Sequence, residues 1–211
     1  AVQFPDVPFY QTNRGGGYSN FGNLIRDEGQ PTESLEWFDR AIGILQPVHE
    51  KEPRDVTARQ SLLNGHWGRA LAYDQLRQFA ESAKDWDRTF ELSPSAKRPR
   101  YRASRAVSKL QAGLFAEAVA DVAALTTPGS PPWNAGQWYD FACVYAVASR
   151  KIADKKLEYT DRAMELLQKA VKAGYKDAAS INLDNDLDPL RGRDDFKKLR
   201  AELEKTSAPK P

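Results

Sequence analysis

Arg69-Ala70-Leu71-Ala72-Tyr73-Asp74-Gln75-Leu76-Arg77-Gln78-Phe79-Ala80-Glu81-Ser82-Ala83-Lys84-Asp85-Trp86 is the stretch whose reading decides the fold. Two segments with helical apolar spacing meet there at Arg77-Gln78. Parts of the stretch occur more than once. Shifted back by 48 positions, Glu81, Ser82, Asp87 and Arg88 fall on Glu33, Ser34, Asp39 and Arg40. Ala70 then falls on Gly22 and Trp86 on Phe38, so the small and the aromatic positions agree as well. Shifted forward by 36, Phe79-Ala80-Glu81 falls on Phe115-Ala116-Glu117 and Arg69-Ala70 on Arg105-Ala106. Self-similarity at a period of ~20–50 residues marks stacked units, each burying its apolar face against its neighbours.

Outward from that stretch, helical periodicity holds nearly throughout, and no segment sustains a period of two. Ser34, Leu35, Phe38, Ala41, Ile42 and Leu45 make one stripe of a helix that opens at Pro31-Thr32-Glu33 and whose end Pro47 restricts. Pro53 suits the start of the next helix, which should run from about Arg54 to about Leu76. Its partner runs from Phe79 to Leu92 and stops at Ser93-Pro94. Helices follow near 98–112 and 115–125, split by Gly113, and the turn-rich stretch Thr126–Pro132 connects to others near 134–149 and 157–173. Gly174 should cap the last of these, because glycine enters the left-handed conformation without steric cost. Asp184–Arg193 reads as a polar turn region, 194–204 as a short helix carrying Phe196, Leu199 and Leu203, and 206–211 as a frayed tail.

Composition narrows the class. Of 211 residues, 41% are hydrophobic and 28% charged, the usual balance of a folded globular chain. A net charge of +2 does not by itself point to nucleic acid. No apolar run reaches the ~20 residues of a bilayer span, so no membrane insertion is expected. Cys143 stands alone, so an internal disulfide is excluded. The chain opens at Ala1, has one methionine, Met164, and carries no charged stretch followed by an apolar one near its start, so no signal peptide is expected. Pro5-Asp6-Val7-Pro8 reads as the middle of a repeat boundary, which suggests a piece of a longer protein. The compartment stays open, with the cytoplasm favoured unless a spanning segment precedes.

The unit is a helix pair with fixed small and large positions. Its four instances read Tyr18, Phe21-Gly22, Ile25, Ser34, Phe38; then His66, Arg69-Ala70, Tyr73, Ser82, Trp86, Pro94; then Arg102, Arg105-Ala106, Lys109, Ala118, Val122; then Trp138, Phe141-Ala142, Tyr145, Ala163, Leu167. This pattern resembles the tetratricopeptide repeat, W-x2-L-G-x2-Y followed by A-x3-F and P. The resemblance implies an all-α, right-handed superhelical array of antiparallel helix pairs, an α-solenoid. A single domain would hold repeats near 18–50, 54–95, 98–127 and 134–174, a C-terminal capping helix at 184–204 and a tail at 205–211. A narrower resemblance rests on Asn20–Arg26, Leu35–Ile42, Phe141–Ala146 and above all Asp186-Leu187-Asp188-Pro189-Leu190-Arg191 with Asp195-Phe196. These stretches resemble the C-terminal repeat region of planctomycete-type bacterial serine/threonine protein kinases, and imply a kinase-like parent.

Catalytic chemistry is hard to assemble. No Gly-rich kinase loop, Val-Ala-x-Lys, His-Arg-Asp or Asp-Phe-Gly occurs, so no enzyme is expected in this stretch. Gly15-Gly16-Gly17 lacks the strand before it and the Gly-Lys-Ser/Thr after it that a phosphate cradle needs. It reads as a frayed or broken stretch, with the first helix beginning near Tyr18. His49 and His66 have no metal-ligand spacing, and His66 reads as packing. Cys143 reads as a core or groove-lining residue. Asp184, Asp186 and Asp188 alternate like a calcium loop but lack its Gly and its later Glu, so capping is the better reading. No metal or cofactor is expected. Asp85, Asp87 and Glu91, like Lys151, Lys155 and Lys156, read as solvated helix faces. Trp37 and Trp86 read as packing, and Trp133 as an exposed side chain available to a partner.

In the family that the pattern resembles, the first helix of each unit lines a concave groove. That implies inward positions at Ser19, Asn23, Arg26, Asn64, Trp67, Leu71, Arg100, Val107, Tyr139 and Cys143. One branch of the family grips a peptide carboxylate; the corresponding positions here are Ser19, Asn23, Gly68, Arg100 and Ser104, and only Asn23 matches, with Arg100 a cationic substitute. A carboxylate clamp is therefore not expected. The candidate site is a mixed groove of Asn23, Arg26, Asn64, Trp67, Arg100 and Tyr139, suited to a peptide bearing acidic and apolar side chains. The expected function is noncatalytic protein–protein interaction, with a protein or peptide partner and no nucleic acid. The alternative is self-association that holds two parent chains together.

Overall fold

The structure, a computed structural model, describes residues 7–130 and 132–207. Among these every regular element is helical and no strand occurs. The helices are α1 Pro8–Asp27, α2 Pro31–Lys51, α3 Val56–Gln75, α4 Phe79–Leu92, α5 Arg98–Gln111, α6 Phe115–Leu125, α7 Ala135–Lys151, α8 Lys156–Lys172, α9 Ala178–Leu183 and α10 Asp194–Ser207. Short 3-10 turns occupy Ser95–Lys97, Ala153–Lys155 and Asn185–Leu190. The chain divides into two compact units, 1–108 and 109–211. Pro5 and Asp6, and the tail from 208 on, lie outside the described residues.

The shifts of 48 and 36 reappear in the backbone. Gly29, Arg77 and Gly113, spaced at those intervals, all have positive φ, at 83°, 57° and 79°. Each closes its helix in the same way. The N–H of Gly29, Arg77 or Gly113 bonds the carbonyl three residues back, and the next N–H bonds the carbonyl five back (Gln30 to Ile25, Gln78 to Tyr73, Leu114 to Lys109). This doubled bond pattern satisfies the orphan carbonyls of a helix end and demands one left-handed residue. Gly174 does the same for α8, with φ 102° and Tyr175 N bonding Ala170 O. Arginine carries a Cβ penalty at that position. Arg77→Gly is therefore expected to raise stability by about 1 kcal/mol, read as a higher urea midpoint with unchanged slope.

The positions that the repeat marks as small or large are buried in each instance. Gly22, Ala70, Ala106 and Ala142 are buried, as are Ser34, Ser82, Ala118 and Ala163, and Phe38, Trp86, Val122 and Leu167. In the first unit Ala41, Leu45, Leu62, Leu63 and Leu92 form a core cluster, with Tyr18, Ile42, Trp67 and Tyr101 against it. In the second unit Phe141, Leu166, Leu167, Ile181, Leu187, Leu190 and Phe196 are the largest fully buried side chains. Leu187 and Leu190 thus turn the Asn185–Leu190 segment into core. The helix α9 before it was not legible in the sequence, because six residues give too little periodicity.

Several boundaries differ from the sequence expectations. α1 begins at Pro8, not Tyr18, and runs unbroken through Gly15-Gly16-Gly17. Tertiary packing outweighs the helix cost of glycine here: a Cβ on Gly15 would lie 2.5 Å from Leu45 Cγ, so only glycine lets α1 approach α2 this closely. Pro47 lies inside α2, one turn before its end at Lys51. Gly43, whose carbonyl loses its N–H partner to the proline, faces solvent, where water can take over that bond. Pro53 sits in a turn before α3; Asp55 caps that helix instead, accepting Thr57 N at 2.8 Å and Ala58 N at 3.1 Å. α7 starts from a reciprocal cap between Asn134 and Gln137. Trp133 is not freely exposed: its Nε1 donates to Leu125 O at 2.9 Å and its ring meets Phe141 edge-on.

Candidate functional site

The candidate surface of the first unit starts from α3. Gln60, Asn64, Trp67 and Leu71 recur at four, three and four residues, so they form one stripe, and all four are half-buried. Gln60 Nε2 donates to Asn64 Oδ1 at 3.0 Å, which orients the two amides along the stripe. Beside it, the end of α1 supplies Asn23 and Arg26. Arg26 is 6% exposed, and its Nη1 donates to Asn23 Oδ1 at 2.8 Å and to Gly68 O at 3.2 Å. Its Nε and Nη2 both reach Asp27 Oδ1, and its guanidinium carbon lies 5.9 Å from the centre of the Trp67 ring.

The structure therefore brings Asn23, Arg26 and Trp67 together, with Asn64 one turn along α3. Arg26 joins the close of α1 to the α3 backbone and braces the indole; Asp27 balances its charge. Arg100 stands apart from this cluster. It is exposed on α5 together with Val107, and no hydrogen bond or ion pair among the described residues engages it. Ser19, also placed in the groove by the sequence pattern, is 1% exposed and packs inward close to Gly65.

Behind the stripe, α3 carries two buried polar networks that sequence reasoning missed. Asp85 was expected on a solvated face but is 3% exposed. His66 Nδ1 lies 2.7 Å from its Oδ1, and Arg69 reaches both its oxygens, Nε at 2.7 Å and Nη2 at 2.8 Å. Arg69 Nη1 also donates to Asp39. Burial alone would raise the Asp85 pKa, but the Arg69 and His66 hydrogen bonds outweigh it and hold the carboxyl below its ordinary value. The second network centres on Asp74, which accepts from Ser82 Oγ, Trp86 Nε1 and Ser108 Oγ and so ties α3, α4 and α5 together. One signal could have found the first network: His66 and Arg69 lie at i, i+3 on one face of α3, pointing two donors the same way. His66 Nε2 is buried without a partner. The pair orders the interior and offers its free nitrogen no reacting group.

Tyr139 belongs to the second unit. It is 8% exposed; its hydroxyl donates to Asp184 Oδ2 at 2.7 Å, and its ring stacks on Tyr175 at 4.4 Å between centroids. Burial, and then the Asp184 hydrogen bond, push the Tyr139 pKa far up. Asp184 Oδ1 accepts from Asp186 N at 2.8 Å and starts the Asn185–Leu190 turn, so it caps as the sequence suggests. Asp188 pairs with Arg191 at 2.7 Å. Donor atoms of Cys143, Asp184 and Asp186 lie within 4.8 Å of one another. Burial and the neighbouring carboxylates push the Cys143 thiol well up, so it stays protonated and donates weakly to Asp184 at 3.7 Å. A thiol held in that form is a poor nucleophile. Elsewhere in this unit a furrow of about 360 Å³ runs between α8 and α10, with Val171 and Leu199 as its apolar part and Lys172, Lys198, Asp195 and Glu202 around it.

No helix among the described residues is long and apolar enough to cross a membrane. The chain matches no protein-family model and no curated protein.

Proposed function

We propose that this chain is a noncatalytic protein-interaction module built on tetratricopeptide-like helix pairs, and that it docks a peptide on the Gln60–Asn64–Trp67–Leu71 stripe. The observation that carries the reading is the braced Trp67: a half-buried indole fixed by a buried guanidinium and flanked by oriented amides. Such a rigid aromatic anchor with polar neighbours is the usual centre of a binding surface. The peptide's charge follows from α5. Residues 93–113 hold six cations, Lys97, Arg98, Arg100, Arg102, Arg105 and Lys109, and no acid, in a chain of net charge +2. Arg105 pairs with Asp87 at 3.1 Å and the buried Lys109 with Glu117 at 2.7 Å, so the exposed Lys97, Arg98 and Arg100 carry the surface charge that favours an acidic ligand. The family resemblance supports the further proposal that the module serves a kinase-like parent, holding partners near another domain and raising their effective concentration.

The test uses fluorescein-labelled 12-residue peptides that pair one aromatic residue with zero, two or four glutamates, read by anisotropy. Binding should strengthen with glutamate count and weaken with salt. Trp67→Ala should weaken it at least about 10-fold, and Arg100→Glu should remove the dependence on glutamate. Equal binding by the Trp67→Ala/Arg100→Glu double variant would sink the reading, as would the absence of binding by every peptide.

A further inference from the structure

Helix α1 is turned inside out. Its buried face is Thr12, Gly15, Ser19, Gly22 and Arg26, all small or polar. Its opposite face carries Tyr10, Phe21 and Leu24, exposed by 54%, 45% and 53%. With Val7 and Phe9 these make five of the ten large hydrophobics exposed among the described residues. A helix at the surface of an isolated domain normally shows the reverse pattern. A concentration of apolar side chains on one outer face marks a surface that is covered.

The sequence of that face says what covers it. Tyr10, Arg14, Gly17, Phe21, Leu24 and Glu28 alternate at four and three residues, the spacing of a two-helix seam. Pairing this stripe with its own copy in antiparallel sense, about a two-fold axis at the level of Ser19 along the helix but on the outer face, sets Phe21 of each copy opposite Gly17 of the other. Gly17 is exposed, and a Cβ built on it meets nothing within 4 Å, so it leaves an open notch for the ring. The same pairing sets Arg14 opposite Leu24 and about 6 Å along the axis from Glu28 of the other copy, within reach of an arginine. Neither the Arg14 nor the Glu28 side chain has a hydrogen bond or ion pair among the described residues. A parallel pairing would instead oppose Arg14 to Arg14 and Glu28 to Glu28, and it would set Phe21 against Phe21.

We infer that the outer face of α1 is a self-association surface on which a second copy of this chain docks antiparallel, Phe21 into Gly17 and Arg14 beside Glu28. The inference rests on none of the residues of the peptide-docking reading.

The test is the mass of the whole chain by sedimentation velocity from 1 to about 200 µM, together with its unfolding temperature. The native chain should pass from monomer to dimer over that range. Phe21→Glu should weaken the dimer at least about 100-fold. Gly17→Ala should weaken it about 10-fold while holding or raising the unfolding temperature, since alanine improves the helix and clashes with nothing in the monomer. Arg14→Glu should weaken the dimer, and Arg14→Glu/Glu28→Arg should restore it. Trp67→Ala and Arg100→Glu should leave the mass unchanged, which separates failure here from failure of the docking surface. A monomer at every concentration overturns the inference and leaves the face to a different protein. A dimer indifferent to Phe21→Glu and Gly17→Ala, or a charge swap that does not restore the dimer, overturns it as well.

Discussion

Asp85→Ala is expected to lower the stability of the first unit by about 3–5 kcal/mol, the usual cost of removing one partner from a buried ion pair. The Asp85 carboxylate is the one group that satisfies both His66 and Arg69 from within α4. Without it, the Arg69 guanidinium keeps only Asp39, whose side chain is more than half exposed. Hydrogen exchange should place the loss in α3 and α4, with the second unit unchanged. Asp85→Asn keeps the volume and removes the charge, and it reports on pH. The native Asp85 pKa is depressed, so over the acid range the unfolded chain binds more protons than the native one. The contribution of this carboxylate is complete above the unfolded value of about 4. It fades as pH falls through the lower native value. The native protein should thus lose stability relative to Asp85→Asn below about pH 4, and the two urea midpoints should converge there. A loss under 1 kcal/mol for Asp85→Ala, or a gap between the midpoints that does not narrow in acid, would show that the pair is not the anchor of α3 to α4.

The same residue shows what could be read from sequence and what could not. Ser34, Phe38, Ser82 and Trp86 were legible as core because their spacing repeats, and repetition survives without any knowledge of the partner. Asp85 sits beside Trp86 in that very repeat, yet its burial depends on His66, 19 residues away, which no periodicity encodes. Arg26 was misjudged for the same reason. Its helical position gave a groove address, but its buried bond to Gly68 O spans 42 residues and turns an expected ligand-binding cation into a brace for Trp67. Gly15-Gly16-Gly17 was read by propensity as a break, and the close seat against Leu45 overrules propensity. Periodic features were therefore visible, and so were the helix break at Gly113 and the local caps at Gly174 and Asp184. Features set by a single distant contact were not. The stripe Gln60–Asn64–Trp67–Leu71 lies between the two cases: its face follows from helix geometry, while the bracing of Trp67 comes only from the packed structure.

Phe38 and Gly68 offer the most demanding test of that packing, because one substitution should change sign with its background. Phe38 is fully buried in α2, wedged between glycines of α1 and α3. A Cβ on Gly22 would lie 2.9 Å from its ring, and one on Gly68 only 2.3 Å from Cε1 and 2.6 Å from Cζ. Phe38→Ala should cost about 3–5 kcal/mol through lost burial and the cavity left behind. In the native background Gly68→Ala should also destabilise, by about 1–3 kcal/mol of overpacking, despite about 1 kcal/mol of improved helix propensity. With the ring removed, the two tightest clashes are gone; the methyl still lies 2.8 Å from Asn23 Oδ1, a side-chain end that can shift, and the propensity gain remains. Gly68→Ala should then stabilise the Phe38→Ala protein, a coupling of at least about 2 kcal/mol between residues in contact. Additive costs, measured by urea unfolding of the four proteins of the cycle, would mean that the ring and the glycine do not share that space. The cycle also reaches the candidate site. Gly68 supplies the carbonyl that holds Arg26, and Arg26 braces Trp67. Gly68→Ala in the native background should therefore weaken peptide binding, since its methyl would also lie 2.8 Å from Asn23 Oδ1, the acceptor that helps hold Arg26.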